Sequence, residues 1–450
     1  MFSAFFNRTN EHLKEVLHGA SVALLLRVVG ALLSFGLNVA IARVLGPEQA
    51  GIYFLALTIV VMASVLSRMG LDNAMLRMVA AGADQKNWGV VQTVYRHGMR
   101  AASIASVLIL IALALAADLL SVQVFDKPLL ATPLRVMALA ILPVSLVYLN
   151  SESLRGLKRI RDSQLLLNVA IPGLTLPLLL IMGPVWQGFG AALAYTVATS
   201  VVALAGLMLW RKVCPPITEA VGAKEEKETK RTLFGAAPSL FGISLLSLIM
   251  TSAATLALGV WASSEDVAVF SIADRLAMLT GFTLLAVNAI SAPKFAALHH
   301  RGDRDALNAL ARSSTQLMAV TATPVLLLLL LFPEWILGFF GPSFTTGSTL
   351  LRVLMIGQLV SVLTGSVGYL LMMTGHEAGL RNLLFVSTGL CIVSLIIFVP
   401  LWGAMGAALS VTLTTTFRAL VSVVVLERAT GIKSFLSFSQ PDNPPNAPGK

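Results

Sequence analysis

The stretch ASVALLLRVVGALLSFGLNVAIARVLGPEQAGIY, residues 20 to 53, reads as an apolar helix followed by a tight loop. Its roughly 20 apolar residues suffice to cross a bilayer, yet Arg27 stands near its middle and Asn38 three turns later. An arginine at the centre of a membrane helix costs about 2.5 to 3.5 kcal/mol on insertion scales, so it must face protein or a watery space. Ala20, Ala23, Arg27, Gly30, Ser34 and Asn38 recur at spacings of three and four, which puts them on one helix face. Small residues on such a face commonly make a close helix-to-helix seam, and Ala20, Ala23 and Gly30 fit that reading. Arg27 does not, because its bulk and charge hold neighbouring helices apart.

The rest of the chain has the same character. Of its 450 residues, 56% are hydrophobic and 12% charged, with a mean hydropathy of +0.84. That is too apolar for a soluble domain of this length, so the expected class is an all-α polytopic membrane protein. Cys214 and Cys391 are too few for a disulfide framework and lack metal-ligand spacing. The opening residues MFSAFFNRTNEHLKE lack the pattern of a cleaved signal peptide, and residues 1–19, with Phe2, Phe5 and Phe6, read as a cytoplasmic interfacial segment.

Apolar segments of spanning length fall near residues 20–41, 51–69, 101–120, 134–150, 165–182 and 189–210, then 233–261, 267–290, 313–333, 350–373, 381–399 and 403–426. They predict about twelve transmembrane helices, split into an N-terminal bundle (20–210) and a C-terminal bundle (233–426) by a charged linker (211–232). Residues 427–450 read as a cytoplasmic tail, disordered in its Pro- and Asn-rich end from Ser439 to Lys450. Basic residues crowd alternate loops, as at Arg155, Lys158, Arg159 and Arg161. The positive-inside rule therefore puts both termini and the linker in the cytoplasm. The net charge of +10 is accounted for by that topology and gives no case for nucleic acid.

The halves also look duplicated. Tyr53 maps to Phe270 and Arg135 to Arg352 at an offset of 217, and Gly190 of GAALA maps to Gly406 of GAALS at 216. An offset of 217 carries Arg27, Gly30, Ser34 and Asn38 onto Ser244, Ser247, Thr251 and Thr255, a hydroxyl stripe on the seventh span. Each hydroxyl alone can bond back to its own helix; together they suggest two matched faces lining a shared space. Even helix numbers make the halves parallel in topology, related by an axis along the membrane normal.

Further embedded charges come from Asp274 and Arg275 in the eighth span. Arg275 extends a cationic cavity begun by Arg27, and two guanidinium groups match phosphate or diphosphate oxygens. Asp274 has three readings: binding a coupling ion, shuttling a proton, or neutralising an arginine. Arg43, Arg135, Arg352 and Arg418 are secondary candidates. Arg135 and Arg352 sit at equivalent helix starts suited to snorkelling, while Arg418 is deep enough to need a buried partner or a ligand. No Walker A string is present, and no loop gathers a catalytic cluster as a membrane enzyme joining glycans to lipid would require.

The helix-1 arginine and glycine, ARVLGPEQAGIY (Ala42 to Tyr53), Met69-Gly70-Leu71 with Arg77, Pro238, Asp274-Arg275-Leu276, Ala292-Pro293, Phe340-Gly341-Pro342 and the two GAAL strings form a pattern. It resembles the oligosaccharide and polysaccharide flippases of the multidrug/oligosaccharidyl-lipid/polysaccharide exporter superfamily. The resemblance implies two six-helix bundles in a V, with helices 1, 2, 7 and 8 around a cavity open alternately to cytoplasm and periplasm. It implies an undecaprenyl-diphosphate-linked oligosaccharide as substrate in the bacterial inner membrane. Lipid II flippases are similar at LRVVG and ADRL, but the second arginine expected after Arg27 is absent, the positions being Ala31, Leu32, Leu33 and Ser34. Multidrug antiporters share the architecture but favour acidic and aromatic residues. The expectation is a transporter rather than an enzyme. Its substrate site is Arg27, Asn38 and Arg275, with Ser34, Ser244, Ser247, Thr251 and Thr255 as polar lining. No cofactor or metal is expected; Asp274 is the candidate for proton or sodium coupling. A polysaccharide polymerase or glycosyltransferases are candidate partners at the cytoplasmic loops.

Overall fold

A computed structural model describes residues 2–215, 222–301 and 303–430. The side chains of Phe2, Phe5 and Phe6, the side chains of Ala292 and Pro293, the middle of the linker and the tail from Ser439 to Lys450 lie outside the described residues. Every regular element among the described residues is helical. Large apolar side chains cover the outer surface, Leu115 being 80% exposed and Val185 70%. That surface is what a bilayer requires, since only helices satisfy all their backbone groups internally in lipid.

Among the described residues, seven helices are long and apolar enough to cross a membrane, or eight if the bent pair Pro128–Ala138 and Ile141–Gly156 is one span. The apolar segments number about twelve, and the difference has a local cause. Phe2–Arg68 is broken at Gly46 (φ 73, ψ 174), Ile171–Val213 at Gln187 (φ 46, ψ −127), and Glu377–Thr430 at Gly403 (φ 54, ψ −130). Each break joins two apolar stretches without an intervening loop. At Gly46 the left-handed torsion suits glycine, and Pro47 opens the next stretch, where its missing N–H goes unneeded.

The linker is shorter than expected. Helix Ile171–Val213 runs past Arg211, and helix Ala223–Trp261 already begins within AKEEKETKR, whose Glu226 and Lys230 pair at 3.7 Å one turn apart. This charged turn docks on helix Trp88–Leu119. Asn87 donates to Glu225 at 3.0 Å, while Arg96 and His97 reach Glu226 at 3.1 and 2.8 Å. The hydrogen bond with His97 holds the Glu226 carboxyl below its ordinary range.

The largest apolar cluster crosses between the halves of the chain, joining Ile41, Tyr53 and Phe54 to Leu258, Phe270 and Leu276. Close approach there depends on Gly51. A Cβ at that position would meet the Ser264 carbonyl oxygen at 1.7 Å, so backbone packs on backbone as small residues permit in membranes.

Candidate functional site

A cavity of about 570 Å³ lies between helix Phe2–Arg68, the stretch around Leu167 to Pro172, helix Ala223–Trp261 and helix Ser264–Met278. Arg27, Ser34, Asn38, Thr251, Thr255, Asp274 and Arg275 all line it. The sequence stripes from two distant segments therefore meet across one space. Ser244 and Ser247 do not line it, a correction to the expected hydroxyl set. The cavity covers only the part of helix Ala223–Trp261 from Thr251 onward, and the stripe continues two turns beyond it.

The cations are held in different ways. Arg275 donates from Nη1 to Asn38 Oδ1 at 3.1 Å, and its guanidinium lies 4.6 Å from the centre of the Phe54 ring. Both contacts cross from the second half of the chain to the first and leave further N–H groups for a ligand. Arg27 donates from Nε to Gln164 Oε1 at 3.1 Å, and Gln164 also accepts from Asn168 Nδ2 at 2.7 Å. This amide pair was not read from the sequence. Its only trace is two amides four residues apart in QLLLN, where Gln164 ends helix Ile160–Gln164 and Asn168 lies in the π-helix Leu165–Ala170. Gly30 lets it approach, since a Cβ there would sit 2.5 Å from the Asn168 carbonyl oxygen. Neither guanidinium makes an ion pair among the described residues, and Asp274, next to Arg275 in sequence, lines the same cavity.

Tyr148 and Tyr195 add ring surface to the cavity wall. Beneath Tyr148 the buried Arg68 lies 4.1 Å from the ring centre, with Asp72 at 3.5 Å. Asp274 stands at a junction, lining this cavity and a second one of about 480 Å³ that also contains Arg418. Two of the secondary candidates have carboxylate partners. Arg135 pairs with Asp118, and Arg352 with Glu334 at 3.5 Å, both on the exposed surface.

Arg43 bridges the two halves beside the Phe35 and Phe340 end of the cavity. It donates to the Phe339 and Gly338 carbonyls at 2.8 and 3.0 Å, and Phe35 meets Phe340 edge to face at 5.4 Å. At the same end Lys127 donates to the Gly259 and Ala262 carbonyls at 2.7 and 2.8 Å. Burial pushes its pKa below the ordinary lysine value. All four hydrogen bonds bridge the two halves, so parting them requires breaking charge-assisted hydrogen bonds.

This geometry has solved counterparts. An inward-facing multidrug resistance MATE family transporter of the MOP superfamily superposes with a TM-score of 0.70 at 17% identity, over 92% of this chain and 98% of that one. The lipid II flippase MurJ in an inward closed conformation gives 0.71 at 13% identity, over 92% and 87%. An outward-facing MATE family transporter gives 0.63 at 18%, over 92% and 95%. No curated protein sequence matches the chain. At these identities the likeness establishes the fold, that of the MOP superfamily transporters. The family model for polysaccharide biosynthesis proteins matches residues 16–299, well over half of the sequence, and the chain belongs to that family.

Proposed function

We propose that this protein is an inner-membrane flippase that carries an oligosaccharide on undecaprenyl diphosphate from the cytoplasmic to the periplasmic leaflet. Two units of six spans, 20–210 and 233–426, rock about the central cavity, with both termini in the cytoplasm. The observation that carries this reading is the cavity between the halves, lined by Arg27 and Arg275, neither of which makes an ion pair among the described residues. Two guanidinium groups in a partly desolvated space suit a diphosphate, and the hydroxyls and amides of Ser34, Asn38, Thr251 and Thr255 suit sugar. The contacts of Arg43 and Lys127 then close the periplasmic end while the head group enters from the cytoplasm. Asp274 is the residue proposed to couple transport to protons or sodium, and the basic cytoplasmic loops are the surface offered to a polymerase or glycosyltransferase.

Binding tests this directly. Undecaprenyl diphosphate should raise the melting temperature of the purified protein more than undecaprenyl monophosphate, and the neutral alcohol should have no effect. Arg27→Ala and Arg275→Ala should each abolish the difference. Equal shifts with all three lipids would contradict a diphosphate site.

A further inference from the structure

The second cavity, of about 480 Å³, lies within the second half of the chain and joins the central one at Thr251, Asp274 and Met278, which line both. It is a polar chamber rather than a packing gap. Asn288, Gln358, Thr364, Tyr369 and Ser422 contribute to its wall together with Arg418. Two of these groups lack partners. Arg418 has no hydrogen bond or ion pair among the described residues, although it stands half-buried within the apolar helix Glu377–Thr430. Asn288 is 4% exposed, and its Oδ1 accepts no hydrogen bond among the described residues. Gln358 spends its Oε1 on the hydroxyl of Thr280 at 3.2 Å, which leaves its amide N–H groups for another acceptor.

An unmet guanidinium asks for an acid, and an unmet carbonyl oxygen asks for a donor. A chloride ion would satisfy the first alone. A sodium ion would suit Asn288 but would face the charge of Arg418. One ligand that supplies both an acid and hydroxyl donors is a sugar carrying a carboxylate, and Tyr369 adds an aromatic side chain to the wall. We propose that this side chamber receives an acidic sugar, a hexuronate or its equivalent, from the oligosaccharide whose diphosphate sits between Arg27 and Arg275. The inference rests on the flippase reading above and narrows its substrate to anionic glycans. Asp274 stands at the mouth and Arg418 only in the chamber, so the acid passes a repelling carboxylate to reach an attracting cation. That arrangement disfavours acidic groups that stop short.

Two fluorescent undecaprenyl-diphosphate disaccharides differing only in the terminal sugar, glucuronate or glucose, provide the test in proteoliposomes. The wild-type protein should move the glucuronate lipid about tenfold faster, the value of one charged hydrogen-bonding contact. Arg418→Gln should bring it down to the rate of the glucose lipid, leaving the latter unchanged, and Arg418→Lys should keep part of the preference. Replacing chloride by methanesulfonate in the buffer should leave these rates as they were. Equal wild-type rates would overturn the inference while leaving the flippase reading intact, and this comparison holds even if Arg418→Gln does not fold. Slowing of both lipids alike by Arg418→Gln, its rescue by Asp274→Asn, or a chloride requirement lost in that variant would each overturn it too. Movement of neither lipid would overturn the flippase reading and this inference with it.

Discussion

Asn38 accepts a hydrogen bond from Arg275 across the central cavity, 237 residues away in sequence, at 3.1 Å. The contact ties helix Phe2–Arg68 to helix Ser264–Met278 at the point where both face the proposed head group. Its removal should act on the empty and occupied states differently. Asn38→Ala frees one guanidinium N–H of Arg275, whereas Arg275→Lys loses both the planar fork and the stacking on Phe54. Asn38→Ala should therefore change diphosphate binding less than threefold, and Arg275→Lys should weaken it about tenfold or more. Isothermal titration with undecaprenyl diphosphate separates the two; equal losses would contradict the assignment of Arg275 as the ligand-binding partner.

Gln164 offers a sharper test of charge. It holds Arg27 through a neutral oxygen at 3.1 Å, so Gln164→Glu converts the pair into an ion pair and neutralises one cation of the site. Gln164→Leu removes the support and keeps the charge. Translocation should fall several-fold in the Leu variant and by a factor of about one hundred in the Glu variant. A Glu variant as active as the wild type would rule out an anion-binding role for Arg27.

The closed end depends on Arg43. Its two hydrogen bonds to the Phe339 and Gly338 carbonyls are solvent-exposed and together worth about 1 to 2 kcal/mol. Arg43→Ala should shift the conformational equilibrium toward opening at that end. Spin labels at Glu48 and Ser343, both exposed near this seam, should report a larger long-distance population in the variant by pulsed electron resonance. An unchanged distance distribution would mean the seal lies elsewhere.

Gly190 and Gly406 make the internal duplication testable. A Cβ at Gly190 would sit 2.3 Å from the Met182 carbonyl oxygen, and one at Gly406 would sit 2.0 Å from that of Phe398. Each follows a break of nearly the same torsions, at Gln187 and Gly403. Alanine at either glycine should cost about 1 to 3 kcal/mol through overpacking and lower the melting temperature in detergent. Gly36→Ala, with no atom within 4 Å of its new Cβ, should leave it unchanged.

Those glycines also show what the sequence disclosed. GAALA and GAALS were visible as a repeat because each needs a glycine at the same sharp bend. The duplication extends to Arg135 with Asp118 and Arg352 with Glu334, which have carboxylate partners where the sequence suggested snorkelling. Arg27, Ser34, Asn38, Thr251, Thr255 and Arg275 were legible because polar groups at helical spacing in an apolar run need a polar space. Ser244 and Ser247 share that spacing, yet periodicity fixes only a face and says nothing of where along it a cavity ends. Gln164, Asn168 and Asn288 escaped notice because single amides carry no periodic signature. Helix Ala223–Trp261 was read as starting late because its first turns, rich in Lys and Glu, have strong helix propensity but no apolar stripe.

The most direct measurement is translocation of a fluorescent undecaprenyl-diphosphate oligosaccharide in liposomes containing the purified wild type, Arg27→Ala or Arg275→Ala, with and without a proton or sodium gradient. The account predicts movement by the wild type and its loss in both variants, with all three proteins inserted and monodisperse. Dependence on a gradient, lost in Asp274→Asn, would assign coupling to that carboxylate. Wild-type rates in both arginine variants would contradict a cationic head-group site, and with it the reading of this cavity as a path for a diphosphate lipid.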